Sequence, residues 1–197
     1  MNHLWTAVLT ASAQPAREFP VPDQQLLREL QTPLKELYAR QGDAAVIVLS
    51  AEGEVDFERI GCRVPLLQND GKSLHAGLHP AAAGNGLMAC SGELLLQSLI
   101  TCAGTTVAAV ATAMGFRIDR CEILAKGTMD FRGTMGVDRN VPVGIQQVDL
   151  LFRMTTSIDA EQAGKLVSLT ERYCVVYQTL AASVAVSTDL ELLPAAV

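Results

Sequence analysis

Five cysteines are the residues of this chain whose type could carry covalent chemistry. They stand far apart along the 197 residues, at Cys62, Cys90, Cys102, Cys121 and Cys174. An odd number at wide spacing, with no Cys-x-x-Cys pair, does not predict the disulfide framework of a secreted protein. Thiols react as thiolates, so chemistry at these positions would be nucleophilic or redox chemistry.

Two of these cysteines lie in segments that stand out from the rest. Cys102 lies deep in the apolar stretch SGELLLQSLITCAGTTV, residues 91–107, and Cys174 lies in ERYCVVYQTL, residues 171–180, near a predicted helix junction. Free cysteine usually behaves as a small buried hydrophobe. The residue types alone leave two interpretations open, which are packing residues or reactive thiols.

The histidines could in principle bind a metal ion. His75 and His79 flank Gly77 in a segment rich in glycine and proline, and they do not share a helix face. A zinc site needs three or four ligands in fixed geometry. An ordinary loop role is favoured, and we expect no metal.

The composition excludes several classes of protein. Hydrophobic residues make up 49% and charged residues 18%, which is too apolar for a disordered chain. The net charge of −6 argues against nucleic acid as a partner, since such proteins are usually basic. The high apolar content makes an oligomer plausible.

Two apolar stretches raise the question of a membrane. Residues 4–11 run into the triplet Ala11-Ser12-Ala13, but no Lys or Arg precedes them, so a signal peptide is not favoured and we expect a cytoplasmic protein. Residues 94–116 carry no charge and could span a bilayer. Their Thr, Ser, Gln and Gly content fits better a helix buried all round in a protein or dimer, so we expect no membrane partner.

The order of predicted elements gives an α+β fold. Residues 1–22 are expected to be irregular, and a helix over residues 24–40, capped by Asp23 and kinked or split at Pro33, is expected to be a packing arm. Strands are predicted over residues 45–49, 55–64, 62–67, 73–78, 117–131, 144–155 and 184–192. A hairpin at Asn69-Asp70-Gly71 is predicted to join the strand over 62–67 to the strand over 73–78. Helices are predicted over residues 91–114, 157–173 and 174–182.

Three segments, in matching order, resemble the OsmC/Ohr family of osmotically inducible and organic hydroperoxide resistance proteins. They are ELLLQSLITC at residues 93–102, DFRGTMG at 130–136 and ERYCVV at 171–176, and the resemblance spans about residues 54–190. It implies an intertwined homodimer, in which antiparallel sheets wrap around two long central helices. Residues 1–42 then form an added N-terminal arm, and residues 43–197 form the OsmC-like domain.

The resemblance also implies a thiol peroxidase. Cys102 matches the peroxidatic cysteine of the family and Cys174 its resolving cysteine. A thiolate attacks the peroxide O–O bond and becomes a sulfenic acid, with which the second thiol condenses to a disulfide. An external dithiol would restore both thiols, and no cofactor is expected.

The activating residues of the family match less closely. Its hydroperoxide branch pairs an early Arg with a Glu ten residues before the first cysteine, but that position is Gly92 here and the acid is Glu93. Nine helical residues rise about 13 Å and leave Glu93 about half a turn out of phase with Cys102, so Glu93 could act only by orienting an Arg that reaches across. Otherwise Glu93 is a favourable acid in a first helical turn. Arg63 is preferred over Arg59 as that Arg because it lies just before the hairpin.

The remaining cysteines and one substitution complete the set. Val175 stands where the family often has Pro, which alters the helix start at Cys174. Cys90 could be an alternative partner for Cys102, although a loop thiol is favoured. Cys62 and Cys121 are expected to be packing residues.

Two other function classes stay open. A non-catalytic module that binds a lipid-like or other small molecule on the same fold is favoured by Gly92 and Val175, whereas the cysteine pair favours the enzyme. A membrane-anchored protein would use residues 94–116 as its span.

Overall fold

The structure is a computed structural model, and it describes residues 23–66 and 71–192. By its contacts the chain forms two compact units. The first comprises Met1–Glu93 and Phe131–Val141, and the second comprises Leu94–Asp130 and Pro142–Val197. The predicted irregular segment 1–22 lies outside the described residues.

The first unit begins with the predicted helix α1 (Gln24–Arg40). Asp23 caps it as predicted, because its Oδ1 accepts the N–H of Leu26 at 2.8 Å. Pro33 does not split the helix, which runs unbroken over 17 residues. A short 3₁₀ turn (Gly42–Ala45) follows.

A four-stranded sheet follows in the first unit, in the order β1 (Glu54–Asp56), β2 (Gly61–Pro65), β3 (Ser73–Gly77) and β4 (Ala89–Cys90). Strands β2 and β3 pair antiparallel, with Pro65 opposite Ser73, which confirms the predicted hairpin pairing. The turn residues Asn69 and Asp70 lie outside the described residues. Strand β4 pairs parallel with β3, and a one-turn helix α3 (Phe131–Thr134) completes the unit.

Two predictions for this part of the chain were wrong. The apolar run 46–49 is not a strand: its residues lie outside regular structure, each at least 74% exposed. Although these residues have strong β-propensity, residues 23–66 and 71–192 offer them no strand with which to pair. The single strand predicted over residues 55–64 is two short strands, because the Asp56 carboxylate accepts the N–H groups of Glu58 and Arg59 and forms a turn between them.

The second unit is built on a long hairpin and three helices. Strands β5 (Ile118–Met129) and β6 (Ile145–Thr156) pair antiparallel. Inward Val148, Leu150 and Phe152 alternate with exposed residues, as the sequence predicts. The helices are α2 (Ser91–Met114), α4 (Ala160–Tyr173) and α5 (Val175–Ala181), and the first turn of α2 belongs to the other unit.

Helix α2 supplies the core of the second unit through one face. Its buried residues recur every fourth position, at Leu99, Ala103, Val107 and Ala111. Among the described residues, α2 is the one helix long and apolar enough to cross a membrane, and 22% of its most apolar window is buried. Within the described residues of a single chain, α2 is therefore buried along one face, and burial on all sides in a protein or dimer stays a prediction.

The end of the chain also departs from prediction. Residues 184–192 were predicted as a closing strand but lie outside regular structure in the described range, and Val186, Leu190 and Leu192 are more than 80% exposed. As at residues 46–49, apolar side chains that favour a strand pair with no strand among the residues that the structure describes.

Candidate functional site

Cys102 lies in the middle of α2, one turn after the buried Leu99. It is half-buried and packs against the cluster formed by Leu99, Ala103 and Cys174. The next turn contributes Thr106, whose hydroxyl donates to the Cys102 carbonyl at 2.7 Å. The thiol therefore sits in apolar surroundings with one hydroxyl close by.

Cys174 joins two helices and is fully buried. It ends α4, where its N–H donates to the Thr170 carbonyl at 2.9 Å, and it caps α5, where its Sγ accepts the Tyr177 N–H at 3.4 Å. The Asp159 capping box fixes the other end of α4. The position of this thiol is thus set by two helix ends.

The structure brings the two thiols into hydrogen-bonding contact. Burial alone would raise the pKa of the Cys102 thiol. Hydrogen bonds from the Val176 N–H, the Cys174 thiol and the Val175 N–H outweigh burial, so the pKa of Cys102 is lowered. The Thr106 hydroxyl, whose proton also serves the Cys102 carbonyl, contributes least. These donors stabilise a thiolate, and a thiolate is the reactive form.

The pKa of Cys174 shifts in the opposite direction. Burial raises it, and the neighbouring Cys102 raises it further, while the Tyr177 N–H acts against both. Cys174 therefore keeps its proton and donates it towards the Cys102 sulfur. A thiol of lowered pKa beside a thiol of raised pKa is an arrangement in which the first can attack an electrophile as its thiolate and the second can later condense with the product.

A cavity of about 330 Å³ shares walls with the packing around the thiols. Leu99, Val148, Leu150 and Tyr177 belong to both. The remaining lining is mostly apolar, with two glutamines: Leu95, Ile145, Gln146, Gln147, Leu180 and Ala181. Its size suits a small organic molecule with an apolar body.

The predicted activating residues have other partners in the structure. The Arg63 guanidinium pairs with Glu54, its cross-strand neighbour in the sheet of the first unit. Arg59 pairs with Asp56 at 3.0 Å. Glu93 accepts the backbone N–H of Cys90 at 3.4 Å at the start of α2, which is the role of a first-turn acid. A role for Arg63 or Glu93 at the thiols stays a prediction.

The other cysteines and histidines have separate environments. Cys62 lies in β2, Cys90 in β4 and Cys121 in β5, all half-buried and free. The Nδ1 atom of His79 accepts the Ala81 N–H and so caps a 3₁₀ turn (Pro80–Ala82). The ring centroids of His79 and Phe131 are 5.0 Å apart. His75 lies in β3. Within the described residues, no group of three or more metal-binding side chains is present.

Sequence reasoning missed the donors around Cys102. Thr106 follows Cys102 by four residues, so helical spacing alone could have placed its hydroxyl beside the thiol. The side-chain types of Val175 and Val176 do not indicate that their backbone N–H groups act as donors to Cys102. They reach Cys102 only because the junction at Cys174 packs against α2.

The fold is α+β, and its hydrogen-bonded thiol pair lies between the long helix α2 and the junction of α4 and α5. The model of the family described as OsmC-like protein matches residues 84–189, more than half of the chain. The chain therefore belongs to the OsmC-like family, and the predicted α+β, OsmC-like fold is confirmed.

Solved structures agree on the fold. An OsmC-like protein from Mycoplasma pneumoniae is 14% identical, with a TM-score of 0.55 over 68% of this chain and 88% of that one. An organic hydroperoxide resistance protein from Legionella pneumophila is 13% identical, with a TM-score of 0.54 over 68% of this chain and 91% of that one. An organic hydroperoxide resistance protein from Elizabethkingia anophelis is 13% identical, with a TM-score of 0.52 over 67% of this chain and 88% of that one. No curated protein matches the sequence.

Proposed function

We propose that this protein is a thiol-dependent peroxidase that reduces organic hydroperoxides or hydrogen peroxide. The observation that carries the proposal is the contact between Cys102 and Cys174 with opposite pKa shifts, lowered at Cys102 and raised at Cys174. Membership of the OsmC-like family, some of whose structural relatives bear hydroperoxide resistance in their names, adds support.

In the first step the Cys102 thiolate attacks the outer oxygen of the peroxide. The O–O bond breaks, an S–O bond forms, and the departing alkoxide takes a proton to become an alcohol. Cys102 is then a sulfenic acid, oxidised by two electrons. Donors already in place around the sulfur lower the cost of holding the reactive anion in apolar surroundings.

In the second step the Cys174 sulfur attacks the sulfenic sulfur. A disulfide forms, and the Cys174 proton leaves with the hydroxyl as water. An external dithiol then reduces the disulfide through two exchange reactions and is itself oxidised. Each cycle consumes one peroxide and one dithiol and yields one alcohol, or water from hydrogen peroxide, and one further water.

The proposal extends to the working assembly and compartment. The uncovered faces of α2 and the exposed runs 46–49 and 184–192 are surfaces that a second copy would cover in an intertwined homodimer. We propose such a dimer, working in the cytoplasm, where a reduced dithiol is available. Neither step of the mechanism uses Arg63 or Glu93, because donors near Cys102 already lower the pKa of that thiol.

Mass spectrometry after one equivalent of an alkyl hydroperoxide tests the proposal. The wild-type chain is expected to lose two hydrogens in an intrachain link between residues 102 and 174. The Cys174→Ser variant should gain oxygen at residue 102, and Cys102→Ser should consume no peroxide. Cys121→Ser, at a half-buried thiol in β5, is the matched control and should behave as the wild type.

The cavity favours one second candidate, a module that binds an apolar small molecule without turnover. A wild-type chain that gains no oxygen and forms no link, yet binds an apolar ligand tightly, would establish this candidate and reject the peroxidase. A link from Cys102 to Cys90 would keep the enzyme and reassign the resolving thiol.

A further inference from the structure

Helix α1 carries an apolar stripe that the rest of the described residues leaves at least partly exposed. Leu27, Leu30, Leu34 and Leu37 are spaced by three, four and three residues, the a and d positions of two heptads. None of the residues of α1 is buried, and Leu30 and Leu34 are 56% and 48% exposed. Such a stripe is the seam along which two helices pack.

Within the described residues, the main contact of α1 is the 3₁₀ turn that follows it directly. A lone helix of this length is marginal in water, and helices of folded proteins draw most of their stability from packing an apolar face. The seam of α1 therefore calls for a partner helix of similar length.

We propose that α1 pairs antiparallel with α1 of a second copy of this chain. In the symmetric register Leu27 lies in one layer with Leu37 of the partner subunit, and Leu30 lies in one layer with Leu34 of the partner subunit. Both heptads are then filled with leucine against leucine. A two-fold axis makes the seam complementary to itself, which is the commonest arrangement of protein dimers.

Charge favours the antiparallel direction. The N-terminal half carries Asp23, Arg28 and Glu29, two anions and one cation, and is net negative. The C-terminal half carries Lys35, Glu36 and Arg40, two cations and one anion, and is net positive. Antiparallel packing places unlike halves side by side and also opposes the two helix dipoles. Parallel packing would place like halves together.

Two heptads are too short to hold free chains together, so the helix pair acts as a second contact between copies joined elsewhere. A tether of this kind raises the local concentration of one helix around the other. The inference rests on the homodimer proposed above but not on peroxidase chemistry. Its role is to lower the dissociation of the assembly.

Disulfide trapping tests both the pairing and its direction. Leu30→Cys and Leu34→Cys chains with different tags are co-expressed, mildly oxidised and mapped by mass spectrometry, with the wild type oxidised in parallel to identify links among the native cysteines. The antiparallel pair predicts a link between residue 30 of one chain and residue 34 of the other. A 30–30 link in the Leu30→Cys protein alone would mean parallel packing, and no link at either position would mean that α1 does not pair; either result overturns the proposal.

Sedimentation of the full chain gives the second test. The Leu30→Glu, Leu34→Glu double variant is expected to raise the dissociation constant of the assembly at least tenfold. Thr32→Glu with Ala39→Glu adds the same charge on the opposite, exposed face of α1 and should change it little. Equal dissociation of the two variants would overturn the pairing while the dimer stands, whereas a monomeric wild type would overturn the dimer and the pairing together.

Discussion

The thiol of Cys174 hydrogen-bonds to the sulfur of Cys102, across 72 residues of sequence. The contact is asymmetric, since the pKa of Cys102 is lowered while that of Cys174 is raised. The two cysteines are therefore not interchangeable, and each contact around them makes a separate measurable contribution.

Cys174→Ala should make Cys102 less reactive. The substitution removes a donor to the thiolate, so the pKa of Cys102 rises and less thiolate is present at neutral pH. A hydrogen bond worth about 0.5–1.5 kcal/mol corresponds to a roughly two- to tenfold loss in alkylation rate at pH 7. The pH dependence of iodoacetamide labelling, read at the peptide that contains residue 102, measures the shift. Cys174→Ser keeps a donor and should lose less.

Val175→Pro should have a similar effect through the backbone. Proline has no N–H, so one donor to Cys102 disappears and the pKa of Cys102 rises. The fold should persist, because Val175 is the first residue of α5, where proline is well tolerated, and its side chain is 68% exposed. Val175→Ala keeps the N–H and is the control. Equal labelling profiles for the two variants would show that the Val175 N–H does not act on Cys102.

Filling the cavity should change substrate preference. Ala181→Phe places an aromatic ring in the cavity beside Tyr177. We expect kcat/KM for a bulky alkyl hydroperoxide to fall at least fivefold relative to that for hydrogen peroxide, which needs no room for a tail. Ala182→Phe, one residue beyond the lining, is the control. An equal fall in kcat/KM for both peroxides would mean that the substitution disturbs the thiols and does not act through the cavity.

Asp159→Ala should destabilise the second unit by about 1 kcal/mol, the usual cost of losing a helix cap. Asp159 accepts the Gln162 N–H at 2.8 Å, while Gln162 accepts the Asp159 N–H, and both bonds hold the start of α4. Urea denaturation measures the loss. Asp189→Ala, in the irregular C-terminal segment, should leave the midpoint unchanged.

Stability should fall in alkaline solution partly through Cys121. Burial raises the pKa of this thiol above its ordinary value near 9, so the folded chain holds the proton more tightly than the unfolded chain. The contribution is complete below that value and is lost as the pH rises through the folded pKa. The free energy of unfolding should therefore fall less steeply above pH 9 in Cys121→Ala, by at most about 1.4 kcal/mol per pH unit. Parallel curves would contradict this.

Local signals in the sequence predicted elements whose partners are also local. The Asp23 cap and the helix predicted over residues 24–40 are both present in α1. The helix predicted over residues 91–114 ends at Met114, and Gly115 follows it with a φ of +69°. In β6, the apolar residues Val148, Leu150 and Phe152 alternate in sequence with residues that the structure shows to be exposed. Each of these elements follows from side chains within a few residues of one another.

Elements that depend on distant partners were not predictable in the same way. Residues 46–49 and 184–192 have the composition of strands, but a strand requires a neighbour, and composition does not supply one. The donors of Val175 and Val176 are backbone groups whose target depends on packing against α2. Resemblance to a family located both cysteines, although the helix junction and the hydrogen bonds around them came from the structure.

The Cys174 sulfur accepts the Tyr177 amide while the Cys174 amide holds the end of α4. A covalent change at that sulfur therefore weakens one amide hydrogen bond directly and pulls on the other through the same residue. Faster deuterium uptake at the amides of Tyr177 and Cys174 should therefore indicate that the Cys174 sulfur is oxidised. Two backbone amides can thus report the redox state of Cys174 without a dye attached to the protein.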